Sequence, residues 1–214
     1  MNPRGPGRFI VIEGPEGAGK STQMRRLGEA LRGRGNEVVL THEPGGTPTA
    51  EAIRRIFLSG EHGAITPLTE LFLICASRAQ HVAEVIRPAL VAGKTVLCDR
   101  FSPSTIVYQG HAGGLPLETV RAVDEAAREG LAPDLTIIID VPADVGLRRN
   151  RGETDADRME GKGLEFHERV REGYLRYAKE AEEPCLVLSG EGGEAAVAQQ
   201  VLDAVLARIE PPEQ

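Results

Sequence analysis

Residues 9–22 read FIVIEGPEGAGKST. The apolar run 9–12 has the pattern of a short buried strand, and Gly14-x-x-x-x-Gly19-Lys20-Ser21 follows it directly before helix-forming residues begin. A polyphosphate needs several backbone N–H donors aimed at one place. Gly14, Gly17 and Gly19 let the chain bend round such an anion with no Cβ in the way. The helix beginning near Lys20 adds the positive end of its dipole. In this pattern the lysine reaches the outer phosphates and the Ser21 hydroxyl is placed to ligate Mg²⁺. The stretch therefore predicts a nucleotide-binding P-loop formed by Gly14, Pro15, Glu16, Gly17, Ala18, Gly19, Lys20, Ser21 and Thr22.

Outward from the loop, the sequence alternates helix and strand signals. Residues 22–34 carry a helical apolar face and end at Gly33 and Gly35. The second strand is expected at 37–41, a tight turn at 43–47 and a helix at 48–58. A long helix is expected over 69–92, with Pro88 able to kink or cut it. The third strand falls at 94–99, a polar loop at 100–116, a helix at 117–129 and the fourth strand at 134–140. A short helix reaches 149, a charged, glycine-containing segment follows to 163, and a helix covers 164–182. The fifth strand at 185–189 and a helix at 193–209 complete the chain. Aliphatic strands alternating with helices predict an α/β P-loop NTPase fold, a five-stranded parallel sheet with helices on both faces. Ligands then belong beyond the carboxyl ends of the strands, where Glu43, Asp99 and Arg100 also fall.

The 214 residues suffice for one large domain, and no linker-like tract divides them, so a single domain over 1–214 is expected. A net charge of −7 and a pI near 5.4 argue against nucleic acid or a membrane as the main partner. Three cysteines, Cys75, Cys98 and Cys185, sit beside aliphatic residues without metal-ligand spacing, which predicts reduced core thiols. Neither a signal peptide nor an apolar run of ~18 residues is visible, and a cytoplasmic protein is expected.

A P-loop serves switches, motors, transporters and small-molecule kinases. An Asn-Lys-x-Asp guanine-reading segment is missing, and the cassettes of transporters or helicases do not occur. Arg78 lies on the long helix, Arg100 directly follows strand three, and Arg149, Arg151 and Arg158 fall in or beside the charged segment. A kinase acting on a phosphorylated acceptor needs fixed cations for the acceptor and others for the transferring phosphoryl group. Both sets are available.

At this point the chain resembles thymidylate kinases, P-loop enzymes that phosphorylate dTMP. The matching words are FIVIEGPEGAGKSTQ at 9–23, HEPGGT at 42–47, DRFSPSTIVYQG at 99–110, PDLTIIIDV at 133–141 and RGETDADRME at 151–160. They occur in the family's order. The resemblance implies a nucleoside monophosphate kinase-like fold, ATP as donor with Mg²⁺, a homodimer, and a lid at about 149–163. It implies that Lys20 and Ser21 hold the ATP phosphates and Mg²⁺, and that Arg100, assisted by Arg54, holds the dTMP phosphate. Arg78 and Gln109 would meet the thymine edge, with Ser104 or Thr105 nearby and Glu43 in the same pocket. Tyr108 would pack under the sugar and Glu16 approach its 3′-hydroxyl. Asp99 is either an outer-sphere Mg²⁺ carboxylate or a carboxylate paired with an arginine.

Loop positions 15–18 hold no arginine, which resembles the bacterial form whose lid supplies the catalytic cation. Arg151 and Arg158 are the expected sources, ahead of Arg149. Ile74 stands where the family usually places a phenylalanine against thymine, and Phe101 where tyrosine or histidine is common. The face of residues 71–86 could supply a dimer surface or simply core. Two rival readings remain: another nucleotide kinase, acting on dUMP or dCMP, and an ATP-binding regulatory protein without turnover.

Overall fold

The computed structural model describes residues 7–59, 61, 63–150 and 158–209. Five strands, β1 (Arg8–Glu13), β2 (Val38–His42), β3 (Thr95–Asp99), β4 (Leu135–Asp140) and β5 (Cys185–Ser189), form one sheet in the order β2-β3-β1-β4-β5. All four pairings are parallel. The central strands are near-continuous apolar runs because both their faces are covered. One face packs Ile10, Ile12, Leu97 and Ile137 under Leu27 and Leu31 of α1 (Lys20–Gly33) and Val197, Val201 and Val205 of α9 (Glu194–Ile209). Elsewhere Phe9, Val11, Val96 and Cys98 form a second cluster with Val82, Ile86 and Phe101.

Register positions the site. Ile12 and His42 both align with Asp99, so β1, β2 and β3 end at one level. They release Gly14, Glu43 and Arg100 onto the same edge, at the point between β1 and β3 where the onward connections, to β2 and to β4, leave in opposite directions.

Two expectations need correction. The region taken as a polar loop, 100–116, is largely helical: α5 (Ser102–Thr105) continues into a π-helical stretch, Ile106–His111. Ile106, Val107 and Tyr108 are buried there against Phe166, Val170 and Tyr174 of α8 (Leu164–Glu180), and that tertiary burial overrides the local polar composition. The long helix is not one regular helix either. It runs as α3 (Pro67–His81), a π-helical turn over Val82–Ile86, and α4 (Arg87–Val91). Pro88 has no N–H to return to the preceding turn, and the wider turn just before it carries the chain on without a break.

α2 (Pro48–Leu58) and α3 start alike: a threonine, Thr47 or Thr66, caps the first turn by accepting a backbone N–H, and a proline follows. α6 (Leu117–Arg128) and α7 (Ala143–Asn150) complete the helices used below. Of the face at 71–86, Leu71, Ile74, Cys75, Val82 and Ile86 are core, whereas Phe72 of the same face is exposed, as is Leu68 one turn before it.

Candidate active site

The phosphate loop has the shape of an anion cradle. α1 begins after Gly19 with no side-chain cap and no acid in its first turn, so its leading N–H groups keep their capacity to donate. Gly17 has φ 67°, and a Cβ there would lie 2.0 Å from the Gly146 carbonyl oxygen. α7 thus rests directly on the loop, and glycine is required on both sides of the contact, because a Cβ on Gly146 would lie 2.1 Å from the Glu16 carbonyl oxygen. Lys20 folds back over the loop, donating to the carbonyls of Gly14 at 3.1 Å and Pro15 at 2.9 Å. Ser21 Oγ donates to Asp99 Oδ2 at 2.8 Å. Of the two roles expected for Asp99, pairing with an arginine does not occur among the described residues; its partner is this hydroxyl at the cavity edge. A hydroxyl and a carboxylate are hard oxygen donors, and they fit a Mg²⁺ ion that keeps several waters and takes its other ligands from phosphate.

Two cavities meet at the strand ends. The larger, about 780 Å³, is lined by residues 16–24 together with Asp99, Arg149 and the start of α9. The smaller, about 220 Å³, is lined by all nine residues expected at an acceptor site: Glu43, Arg54, Ile74, Arg78, Arg100, Ser104, Thr105, Tyr108 and Gln109. Glu16, Glu43, Arg54 and Arg100 line both. A group passing from one occupant to the other crosses at these four side chains.

Arg100 is the most constrained of them. Its φ of 71° is a left-handed backbone that costs a non-glycine residue about 1–3 kcal/mol. Its N–H donates to Ile12 O at 3.0 Å, and its guanidinium to Glu16 Oε1 at 2.7 Å, Tyr174 Oη at 3.0 Å, Ser104 Oγ at 3.2 Å and Gly14 O at 3.3 Å. It also lies over the Tyr108 ring, whose hydroxyl donates to Glu16 Oε1 at 3.1 Å. Burial pushes the Glu16 carboxyl up, but Arg100, Lys20 and the Tyr108 hydrogen bond pull it down and hold the group at about 2, so Glu16 is ionised at neutral pH. Arg54 is fixed by donating to Pro44 O at 2.9 Å.

Several positioning groups escaped the sequence reading. Glu13, the last residue of β1, is fully buried; it accepts from the Tyr174 hydroxyl at 2.8 Å, from Ser104 Oγ at 2.7 Å and from Phe101 N at 2.8 Å. Burial raises its pKa, against the pull of Arg100. Arg78 is held by two buried carboxylates, donating through Nε to Glu43 at 2.8 Å and through Nη1 to Asp124. His81 joins this group, Nδ1 lying 3.0 Å from Glu43 and Nε2 2.6 Å from the Thr41 hydroxyl. Nη2 of Arg78 takes neither carboxylate, and Thr105 Oγ1 is buried with no hydrogen-bond partner; both residues line the smaller cavity. An orphaned hydroxyl and a pre-oriented guanidinium in one lining suit a polar, planar ligand edge. Its rings are Phe57, Phe101 and Tyr108, with Ile74 among them.

The three basic residues assigned to the lid separate. Arg149 lines the larger cavity, with both Nη atoms donating to Gly190 O at 3.2 Å. Arg151 lies outside the described residues. Arg158 lines neither cavity; it lies over the Phe57 ring and is paired with Glu70.

Comparison with known proteins bears on this geometry. The family model described as thymidylate kinase matches residues 12–201. A thymidylate kinase from Caulobacter vibrioides is 46% identical over 203 residues, covering 95% of this chain and 98% of that protein. One from Pseudomonas fluorescens is 48% identical over 204 residues, covering 95% and 96% respectively. The crystal structure of thymidylate kinase from Ehrlichia chaffeensis superposes with a TM-score of 0.76 at 32% identity, covering 94% of this chain and 99% of that one.

Proposed function

The chain belongs to the thymidylate kinase family, and from that premise we propose that it transfers the γ-phosphoryl group of ATP to dTMP, giving ADP and dTDP. The observation that carries the residue assignment is the junction of a phosphate-loop cavity and a ring-lined polar cavity at Arg100 and Glu16. ATP occupies the larger cavity, its phosphates on the loop and Lys20. The dTMP phosphate lies on Arg100 and Arg54, with the base toward Arg78, Gln109 and Thr105. Transfer is a direct in-line displacement: an acceptor phosphate oxygen forms the new P–O bond as the bond to the ADP oxygen breaks. That oxygen is already ionised near neutral pH, so a general base is not needed.

Lys20 and Arg100 offset charge that shifts during transfer, and their fixed positions supply most of the orientation. Ser21 and Asp99 would hold Mg²⁺, which when bound draws charge from the phosphate oxygens. Glu16, kept ionised, stands between the two cavities and holds the Arg100 guanidinium at its position. The remaining cation comes from the segment at about 149–163; Arg149 already lines the donor cavity and Arg151 is the other candidate. The whole chain acts as one kinase domain in the cytoplasm. Free cysteines fit a reducing compartment, and among the described residues no helix is long and apolar enough to cross a membrane.

The test is ADP release with dTMP, dUMP, dCMP or no acceptor. Release that depends on dTMP and falls at least tenfold in kcat/KM with dCMP is the expected result, because a mismatched base edge leaves buried polar groups unpaired. Equal rates with all acceptors, or release independent of any, overturn the reading.

A homodimer is part of the same proposal, through the exposed Leu68 and Phe72, one turn apart on α3. Sedimentation should find a dimer at micromolar concentration that Phe72→Asp dissociates; a monomeric wild type overturns this.

A further inference from the structure

Glu70 lies on α3, is buried, and does not line either cavity. Its Oε1 receives Arg158 Nη1 at 2.5 Å and Lys162 Nζ at 3.3 Å, while its Oε2 accepts from Gln109 Nε2 at 3.3 Å. The two cations flank Met159, which is 5% exposed and lines the smaller cavity. Gln109 lines it too. One carboxylate therefore holds a residue of the acceptor cavity on each of its two oxygens, directly for Gln109 and through Arg158 and Lys162 for Met159.

We infer that Glu70 is a positioning residue of the dTMP site: it fixes the stretch 158–162 as a wall of the base pocket and aims the Gln109 amide. Further contacts make Arg158 an anchor of this wall. Its backbone N–H donates to Leu58 O at 3.3 Å, its Nε to Phe57 O at 3.0 Å, and its guanidinium lies over the Phe57 ring at 5.0 Å. Lys162 is seated likewise, its ammonium 4.8 Å from the centroid of Phe166, a buried ring packed on Tyr108. A buried carboxylate with two cations and an amide is a coupled set, since loss of any partner strands charge; Arg158 Nη2 is the one donor of the set that is buried without a hydrogen-bond partner among the described residues. The Gln109 amide is also constrained by it: one Nε2 hydrogen is given to Glu70, which fixes the side chain and leaves its carbonyl oxygen and second N–H for a ligand edge.

The inference rests on the dTMP reading for its substrate, and its test has one arm that does not. Glu70→Gln keeps shape and removes the charge. Amide hydrogen exchange across 158–162 is expected to speed up at least tenfold in that variant with no nucleotide present. With substrates, KM for dTMP is expected to rise about tenfold, the scale of one charge-assisted hydrogen bond, with kcat and KM for ATP within about twofold. Arg158→Ala gives the same rise, and combining the two adds little beyond either alone, because both cut one contact. Should Glu70→Gln destabilise the chain, Lys162→Ala and Arg158→Ala carry the test from the surface side. Unchanged exchange across 158–162 overturns the anchoring. Unchanged KM for dTMP, or a fall in kcat in Arg158→Ala that Glu70→Gln does not share, overturns the positioning role and makes Arg158 a transfer-step cation. Failure of wild type to use dTMP while exchange responds as expected would sink the substrate assignment and leave the anchor standing.

Discussion

Lys20→Ala lowers kcat by roughly 10²-fold or more and leaves the unfolding transition close to that of wild type. The ammonium touches two loop carbonyls, of Gly14 and Pro15, so its loss opens no hole among core side chains. Burial, and then the charge of Arg100, press its pKa below the ordinary lysine value; Glu16, Asp99 and Glu13 pull the other way. A cation confined among loop carbonyls gains more from incoming phosphate than it has at rest. The variant removes that gain where negative charge shifts between donor and acceptor. Single-turnover transfer measured beside a thermal melt decides the matter, and near wild-type turnover in a folded variant would overturn the P-loop assignment.

Arg78→Ala is expected to cost about 3–5 kcal/mol of folding stability, the scale for breaking a buried ion pair by removing one partner. Domains are stable by only about 5–15 kcal/mol, so the variant sits near the edge of folding. Arg78, Glu43 and Asp124 are 1%, 3% and 6% exposed as side chains, which leaves water little access to the stranded carboxylates. Asp124 keeps Ser102 and a longer ion pair with Arg128 at 3.5 Å, and Glu43 keeps His81, but none of these replaces a buried guanidinium that bridges both carboxylates. Urea denaturation measures this; a loss below about 1 kcal/mol would mean that the network is not structural. The sequence resemblance gives Arg78 a role at the base edge alone. Burial among acids adds a second role, so base selectivity in this variant has to be compared well below its melting temperature.

The sheet was readable because its signals are local. An apolar run of strand length, a glycine loop and a helix start occur within residues 9–22, and the same reading recurs at each strand. The acceptor cavity was readable only through resemblance, since its lining comes from α2, α3 and the stretch after β3, separated by long intervals. What stayed hidden followed one physical rule: groups that act on other groups carry no spacing signature. Glu13, Asp124 and Tyr174 belong to no motif and receive no role from the sequence. Each is identified by a partner 22 to 161 positions away. The stretch after Arg100 was misread for a related reason. Ser102, Pro103, Ser104 and Gly110 give it loop composition, whereas packing of Tyr108 on Phe166 and Tyr174 makes it helical.

The left-handed backbone at Arg100 has a consequence for how a phosphate is received. An arginine side chain ordinarily carries about 2 kcal/mol of rotamer entropy, and binding an anion from solution usually means surrendering it. Here folding has already frozen the chain, from a constrained φ through to a guanidinium met by four oxygens. Toward an arriving phosphate the group behaves as part of a rigid wall and not as a tether. The work left to the ligand in the proposed reaction would be to add its oxygens to a guanidinium that the Glu16 carboxylate and three neutral oxygens already hold in place.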